Sequence, residues 1–364
     1  MKVLYLLNSN GVGGAEASIR RMVDKGFTDS QVVLLWSHNN VQENFWEGRR
    51  MTQLTDESSP LLGFIKSIFL LPKLVKKEKV DVVQSQLKGA DLLLSFLLFT
   101  GLMKKDFTYL VSLRNSYDFY YGNGFVNRFI GRIHRYLINK TADKIVGVSK
   151  QDIDRFTNAF GKKFRVIENS VDITNFQTKD SLTIGSDVKI ALVGNVKHRK
   201  GYDKLKYVVT YLNSAFPEKH FDFSIAGAVE DNTYMEDVKA LEQGNVSINF
   251  LGKVERINDL LVSSDIFLSL SREEGLPISV LEAMASRVPI LLSNIPAHSL
   301  ILEPSVSESI LFQTENELQK TLHQFVESEE LRSKVVNEQY TKLTRDFSLE
   351  RMCEQYLQNY KGER

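Results

Sequence analysis

Two glutamates, Glu274 and Glu282, stand with seven residues between them, and Gly275-Leu276-Pro277-Ile278 follows directly on the first. This order predicts a turn that opens a helix. Pro277 suits the first helical position, where a missing N–H costs nothing, and the helix continues through Leu281, Glu282, Ala283 and Met284. Glu274 then falls in the loop before the helix and Glu282 in its second turn. The unpaired N–H groups of the first turn and the helix dipole favour an anion, whereas carboxylates accept hydrogen bonds from vicinal hydroxyls. A nucleoside diphosphate sugar, with diols at both ends and a diphosphate between them, meets both preferences.

A basic loop adds to this. Lys197, His198, Arg199 and Lys200 follow the apolar run KIALVGN and precede Gly201. Cations at the C-terminal end of a strand suit the charge that grows on a diphosphate leaving group, although a solvated basic turn has the same composition. Near the N-terminus, LYLLNSNGVGGAEASIRRMV predicts a strand, a glycine-rich turn and a helix, in which Gly13 and Gly14 let backbone approach a phosphate or an acceptor. Dinucleotide binding needs a third glycine three residues after Gly13, and Glu16 occupies that place.

The elements that must position these residues alternate along the chain. The strand-like runs VLYLL, QVVLLW, VDVVQSQ, TYLVSLR, KIVGVS and FRVIENS, then KIALVGN, FDFSIAG, SINFLG, IFLSLS and PILLSN, are separated by helical patterns. Such alternation predicts parallel sheets with crossover helices, and 364 residues predict two domains. The polar stretch 174–187 is the expected linker. The α/β reading is therefore two Rossmann-like domains, 1–173 and 174–345.

The whole order of motifs resembles the retaining GT-B glycosyltransferases, in particular glycosyltransferase family 4 (glycosyl transferases group 1), whose signature is E-x7-E. The resemblance implies a GT-B fold, two Rossmann-like domains facing across a cleft, with the C-terminal segment 346–364 crossing back to the N-terminal, acceptor-binding domain. It implies that Glu282 holds the ribose hydroxyls and Glu274 the transferred sugar, and that backbone groups of Gly275, Leu276, Pro277 and Ile278 meet sugar and phosphates. Lys200 matches the family's phosphate-binding lysine. Asn195 stands where the family has an arginine, so either Lys197 or Arg199 supplies that charge or the diphosphate is bound less tightly. The family's donor-contacting histidine is missing from VSLRNSYD, where Arg114 either takes its part or forms an ion pair. Gly252, after SINFLG, falls in the region whose backbone reads the base, and Asn169-Ser170-Val171-Asp172 resembles the family's crossover segment. The implied reaction needs no metal or other cofactor. It transfers a sugar, from UDP in the commonest case, to a saccharide or polyprenyl-lipid-linked acceptor, and the departing phosphate oxygen takes the acceptor's proton on the same face. A sugar-nucleotide epimerase and a non-catalytic sugar-nucleotide-binding subunit are the alternatives.

Composition sets the remaining bounds. The single Cys353 allows no internal disulfide, no Cys/His cluster has zinc spacing, and no leader pattern opens the chain, so a cytoplasmic protein is expected. Residues 1–180 hold 26 Lys and Arg against 18 Asp and Glu, a balance of +8, and the rest hold 20 against 27, a balance of −7. The basic half suits an anionic partner, and no nucleic-acid motif accompanies it. Pro60 to Val80 mixes Phe64, Ile68 and Leu74 with Lys66, Lys73 and Lys76, and Arg128, Arg132 and Arg135 form a second basic stretch. Contact with an anionic membrane, at the inner face of the cell membrane, is one expectation, and a helix that simply faces a sheet and water is the other. The longest apolar run, Leu92 to Met103, is shorter than the ~20 residues that span a bilayer and predicts a buried helix.

Overall fold

The structure is a computed structural model that describes residues 1–9, 14–26, 28–36, 45–57, 59–122, 124–148, 150 and 152–362. The chain divides into two compact units, Met1–Asn169 with Leu349–Arg364, and Ser170–Ser348. The first contains β1 (Lys2–Ser9), α1 (Gly14–Lys25), β2 (Asp29–Trp36), β3 (Met51–Gln53), α2 (Pro60–Glu78), β4 (Val82–Gln86), α3 (Lys88–Phe99), β5 (Thr108–Leu113), α4 (Tyr117–Tyr121), α5 (Phe125–Thr141), β6 (Lys144–Gly147), α6 (Ile153–Phe160) and β7 (Phe164–Val166). The second contains β8 (Asp187–Val193), α7 (Lys206–Ala215), β9 (His220–Ala226), α8 (Asn232–Lys239), β10 (Val246–Gly252), α9 (Ile257–Ser263), β11 (Ile266–Ser269), α10 (Ile278–Ala285), β12 (Ile290–Ser293), α11 (Pro296–Ser299), α12 (Pro304–Ile310), β13 (Leu311–Phe312), α13 (Glu315–Glu327) and α14 (Glu329–Asp346). The last helix, α15 (Leu349–Lys361), belongs to the first unit.

Both sheets are parallel throughout. The first runs β3-β2-β1-β4-β5-β6-β7 and the second β10-β9-β8-β11-β12-β13. Parallel strands carry helices on both faces, which is why β1 is apolar at every position from Val3 to Leu7 instead of alternating. Leu4 and Leu6 enter a core with Val83, Leu94 and Tyr109, and Val3, Tyr5 and Leu7 enter another with Ile19 and Met22 of α1. Leu349, Met352 and Tyr356 of α15 complete that second core. Each fully buried side chain of this size contributes roughly 1.5–3 kcal/mol. The tail therefore closes the face of the first unit that α1 leaves part-covered.

Two expectations shift, and two short strands join the sheets. The boundary falls at Asn169 and Ser170 rather than within 174–187, because Ile173, Phe176 and Ile184 pack against the second unit's core despite the polarity around them. The short strands β3 and β13, of three and two residues, carry too little pattern to be foreseen. Pro277 caps α10 rather than occupying its first turn, since its carbonyl accepts from the N–H groups of Val280 and Leu281.

In each sheet the strand order reverses once, between β1 and β4 and between β8 and β11. Loops leaving the C-terminal ends of the two strands at such a reversal diverge and leave a crevice, the place where open α/β sheets hold ligands. Both charged motifs of the second unit leave from β8 and β11.

Candidate active site

Ile190 and Ala191 of β8 pair with Ile266 and Phe267 of β11, so the loops that follow, 194–201 and 270–277, start side by side. Two contacts bind these loops. Gly201 takes φ +71°, and a Cβ there would lie 2.2 Å from the Leu270 carbonyl oxygen, so only glycine permits the approach. The Arg272 guanidinium donates to both carboxylate oxygens of Asp203, at 2.8 and 2.7 Å, and to the His198 carbonyl at 2.6 Å. That bidentate pair holds the Asp203 carboxyl well below the usual carboxylate range, against the opposing effect of burial.

The loops bring Glu274, Lys200 and Arg199 into one cluster. Lys200 Nζ donates to Glu274 Oε1 at 2.6 Å, Ser271 Oγ donates to the same oxygen at 2.8 Å, and Arg199 Nη1 reaches Oε2 at 3.0 Å. Glu274 is buried, which by itself raises a carboxyl pKa, but Lys200 and then Arg199 outweigh burial and leave it below the ordinary value. The carboxylate is thus ionised at neutral pH, with three of roughly four acceptor directions occupied. Two cations facing one carboxylate leave the cluster net positive. Gly194 makes room for this: a Cβ at that position would stand 2.3 Å from Lys200 Cε.

Asn195 and Lys197 turn elsewhere. Asn195 Nδ2 donates to Glu230 Oε1 at 2.5 Å and Lys197 Nζ to Glu230 Oε2 at 2.8 Å. Of the two cations proposed to stand in for the family's arginine, Arg199 joins Glu274 and Lys197 is paired with Glu230. Gly252 ends β10 at φ +65°, and its carbonyl accepts from the Gly227 N–H at 2.8 Å, close to the end of β9. Gly275, Leu276 and Ile278 lead from Glu274 into α10, whose first N–H groups have no intrahelical partner by the geometry of a helix start. Half-buried Glu282 lies in the second turn of that helix.

Residues 174–342 match the family model for glycosyl transferases group 1. That segment, nearly all of the second unit, belongs to this family. The glycosyltransferase is 27% identical over 292 residues to a Haemophilus influenzae protein described as an uncharacterized glycosyltransferase, a match covering 79% of this chain and 78% of that one. It is 23% identical over 270 residues to an Escherichia coli UDP-Gal:alpha-D-GlcNAc-diphosphoundecaprenol alpha-1,3-galactosyltransferase, covering 67% of this chain and 65% of that one. Among solved structures, Anabaena HepE in complex with UDP superposes with a TM-score of 0.80 at 17% identity, over all of both chains. At that identity the likeness shows the fold, which is GT-B.

The glycosyltransferase also contains site residues without a sequence signal. His298, at the first turn after β12, is fully buried and donates from Nδ1 to the Ser293 carbonyl at 2.7 Å, which leaves Nε2 facing Ser269 Oγ at 3.4 Å. Burial pushes its pKa down to about 4, so it is neutral at pH 7 beside the charged cluster. Ser271 was missed for the same reason, since a lone serine in a loop marks nothing until the carboxylate folds onto it.

In the first unit, Gly13 lies outside the described residues and Gly14 opens α1, where an added Cβ would meet no atom within 4 Å among the described residues. Arg114 is buried, donating to Gln86 Oε1 at 2.9 Å, Ser18 Oγ at 3.0 Å and Asn169 Oδ1 at 2.5 Å. It makes no ion pair with a carboxylate among the described residues, and its Nη2 atom is buried with no partner in the first unit. Asn169 is thereby tied to the ends of β4 and β5.

Proposed function

We propose that this glycosyltransferase transfers a sugar, with retention of anomeric configuration, from a nucleoside diphosphate sugar to a hydroxyl of a saccharide or lipid-linked acceptor in the synthesis of surface polysaccharide. The observation that carries the reading is the cluster of Lys200, Arg199 and Glu274 at the entry of α10. Its net positive charge and the first-turn N–H groups of α10 suit a diphosphate, and charge that develops on the leaving phosphate is stabilised without a proton donor. The remaining acceptor direction of Glu274 suits a hydroxyl of the donor sugar, and Glu282 the ribose diol. In this reading the cations and N–H dipoles do the work of a metal.

UDP is the proposed nucleotide, supported by the UDP named with HepE and in the donor of the Escherichia coli relative. That relative's name also supports an acceptor on a polyprenyl diphosphate, which would bring the enzyme to a membrane surface. Calorimetric titration of UDP, GDP and ADP, without added metal, into wild type and Glu282→Ala tests the reading. Binding of UDP that collapses in the variant supports it; failure of all three nucleotides to bind wild type overturns it. Retention is tested by following the anomeric proton of the product by NMR.

A further inference from the structure

Of the 21 large hydrophobic side chains exposed among the described residues, fifteen lie on α2 to α5 or in the turn after α3, and three lie in the second unit. Single exposed apolar residues need no explanation, but a concentration on one set of helices does. All these helices cover the same face of the first unit's sheet, the one whose core holds Leu71, Leu94 and Ile138. The concentration is therefore one surface of one unit.

The helix α5 shows its chemistry. With 3.6 residues per turn, Gly131, His134, Leu137, Ile138 and Thr141 form the buried stripe. The outward side, where a surface helix ordinarily places charge, instead carries Phe125, Val126, Phe129 and Tyr136, exposed by 83%, 67%, 59% and 54%. The ring of Tyr136 meets that of Phe99 at 5.8 Å, so the apolar surface runs on to the end of α3, where Leu102 is 58% exposed. Along the flank of α5, Arg128, Arg132 and Arg135 fall at i, i+4 and i+7 on one line. They line a cavity of about 180 Å³ with Tyr117 and Tyr121. Among the described residues no carboxylate pairs with any of the three, whereas neighbouring Arg155 is paired with both Asp118 and Asp152.

We infer that the outward face of α5, continued by the end of α3, docks this unit on an anionic lipid bilayer, with the Arg128–Arg132–Arg135 cavity seating a lipid phosphate. Exposed aromatic and aliphatic side chains enter the headgroup and acyl boundary, and arginines without carboxylate partners beside them add attraction to anionic headgroups. The charge and the apolar area sit next to each other, as a bilayer surface requires and a soluble anion does not. The expectation of an interfacial helix at Pro60–Val80 is thereby moved: α2 contributes Leu61 and Phe69 to the same face, but the arginine-lined cavity belongs to α5.

Sedimentation with vesicles tests this, using the full chain, vesicles of phosphatidylcholine alone or mixed with phosphatidylglycerol, and no sugar donor. Wild type is expected to partition onto the mixed vesicles and to be released by salt. Phe125→Ser with Phe129→Ser, and separately Arg128→Ala with Arg132→Ala, are each expected to lower partitioning by tenfold or more, on the order of fivefold per basic side chain. These four side chains are exposed, so an unchanged Tm verifies that the variants fold. Wild type that stays in solution with mixed vesicles, or variants that partition like wild type, overturns the proposal. So does protection of the arginines from a guanidinium-modifying reagent by pyrophosphate but not by mixed vesicles, which would make the cavity a soluble-anion site. Since no turnover is measured, failure of the donor reading leaves this result intact.

Discussion

Lys200 Nζ and Glu274 Oε1 lie 2.6 Å apart although 74 positions separate them in the chain. The contact exists because β8 and β11 are neighbours at the strand-order reversal, so the loops after them begin side by side. A carboxylate and an ammonium brought together this way, in a part-buried place, tune each other: the lysine keeps the acid ionised and the acid fixes the lysine's position.

Glu274→Gln keeps the shape and removes the charge. Transfer is expected to fall by roughly 10²–10³-fold, the usual effect of losing one electrostatic contact to a transition state. Binding of bare nucleoside diphosphate is expected to hold or tighten, because Lys200 and Arg199 then lack their counter-charge. Steady-state kinetics beside calorimetry separates the two effects, and a variant that binds poorly yet turns over normally would contradict this role.

Gly194→Ala tests the packing under Lys200. The added methyl group would stand 2.3 Å from Lys200 Cε, on backbone at φ +149°, so the lysine must leave Glu274. A displacement of about 1 Å in a positioned group can cost 10²-fold in rate. The expected outcome is a loss of transfer close to that of Lys200→Ala, and the double variant Gly194→Ala/Lys200→Ala should be little worse than either.

His298 predicts a pH dependence. Its folded pKa of about 4 lies below the ordinary 6.5, so between those values the unfolded chain binds the extra proton. Stability is accordingly complete above pH 6.5 and is lost as pH falls toward 4, by up to about 3 kcal/mol. Thermal melts from pH 7.5 to 4.5 should show a drop that His298→Gln reduces; an equal drop in both proteins would assign the loss to other groups.

Arg114 is predicted to act first on stability. Arg114→Lys retains the charge but not the fork that reaches Gln86, Ser18 and Asn169, and each unmade buried hydrogen bond costs about 1–3 kcal/mol. A fall in Tm of several degrees is expected, with a larger one for Arg114→Ala. If Tm holds while the KM for donor rises, the arginine is instead a donor contact.

Much of this was legible in the residues. Eleven strand-like runs became strands because parallel sheets bury both faces, so their strands read as short apolar runs bounded by helical patterns. The placement of Glu274 before a helix, of Glu282 in it and of a basic loop after β8 was legible because a glycine-proline turn before a helix, and cations after a strand, are local chemistry. The arrangement of charge was not: Arg199 on Glu274 and Lys197 on Glu230 follow from the spacing of neighbouring loops, and both cations look alike in a string of four basic residues. His298 and Ser271 become site residues only through chain crossing. The apolar exposure of α5 was hidden as well, since periodicity gives a helix two faces without saying which one the sheet will take. Local sequence thus determined the elements and the types of group available for chemistry. Tertiary structure decided which charges meet, which are buried, and which apolar face remains in water, because those depend on packing between elements distant in the chain.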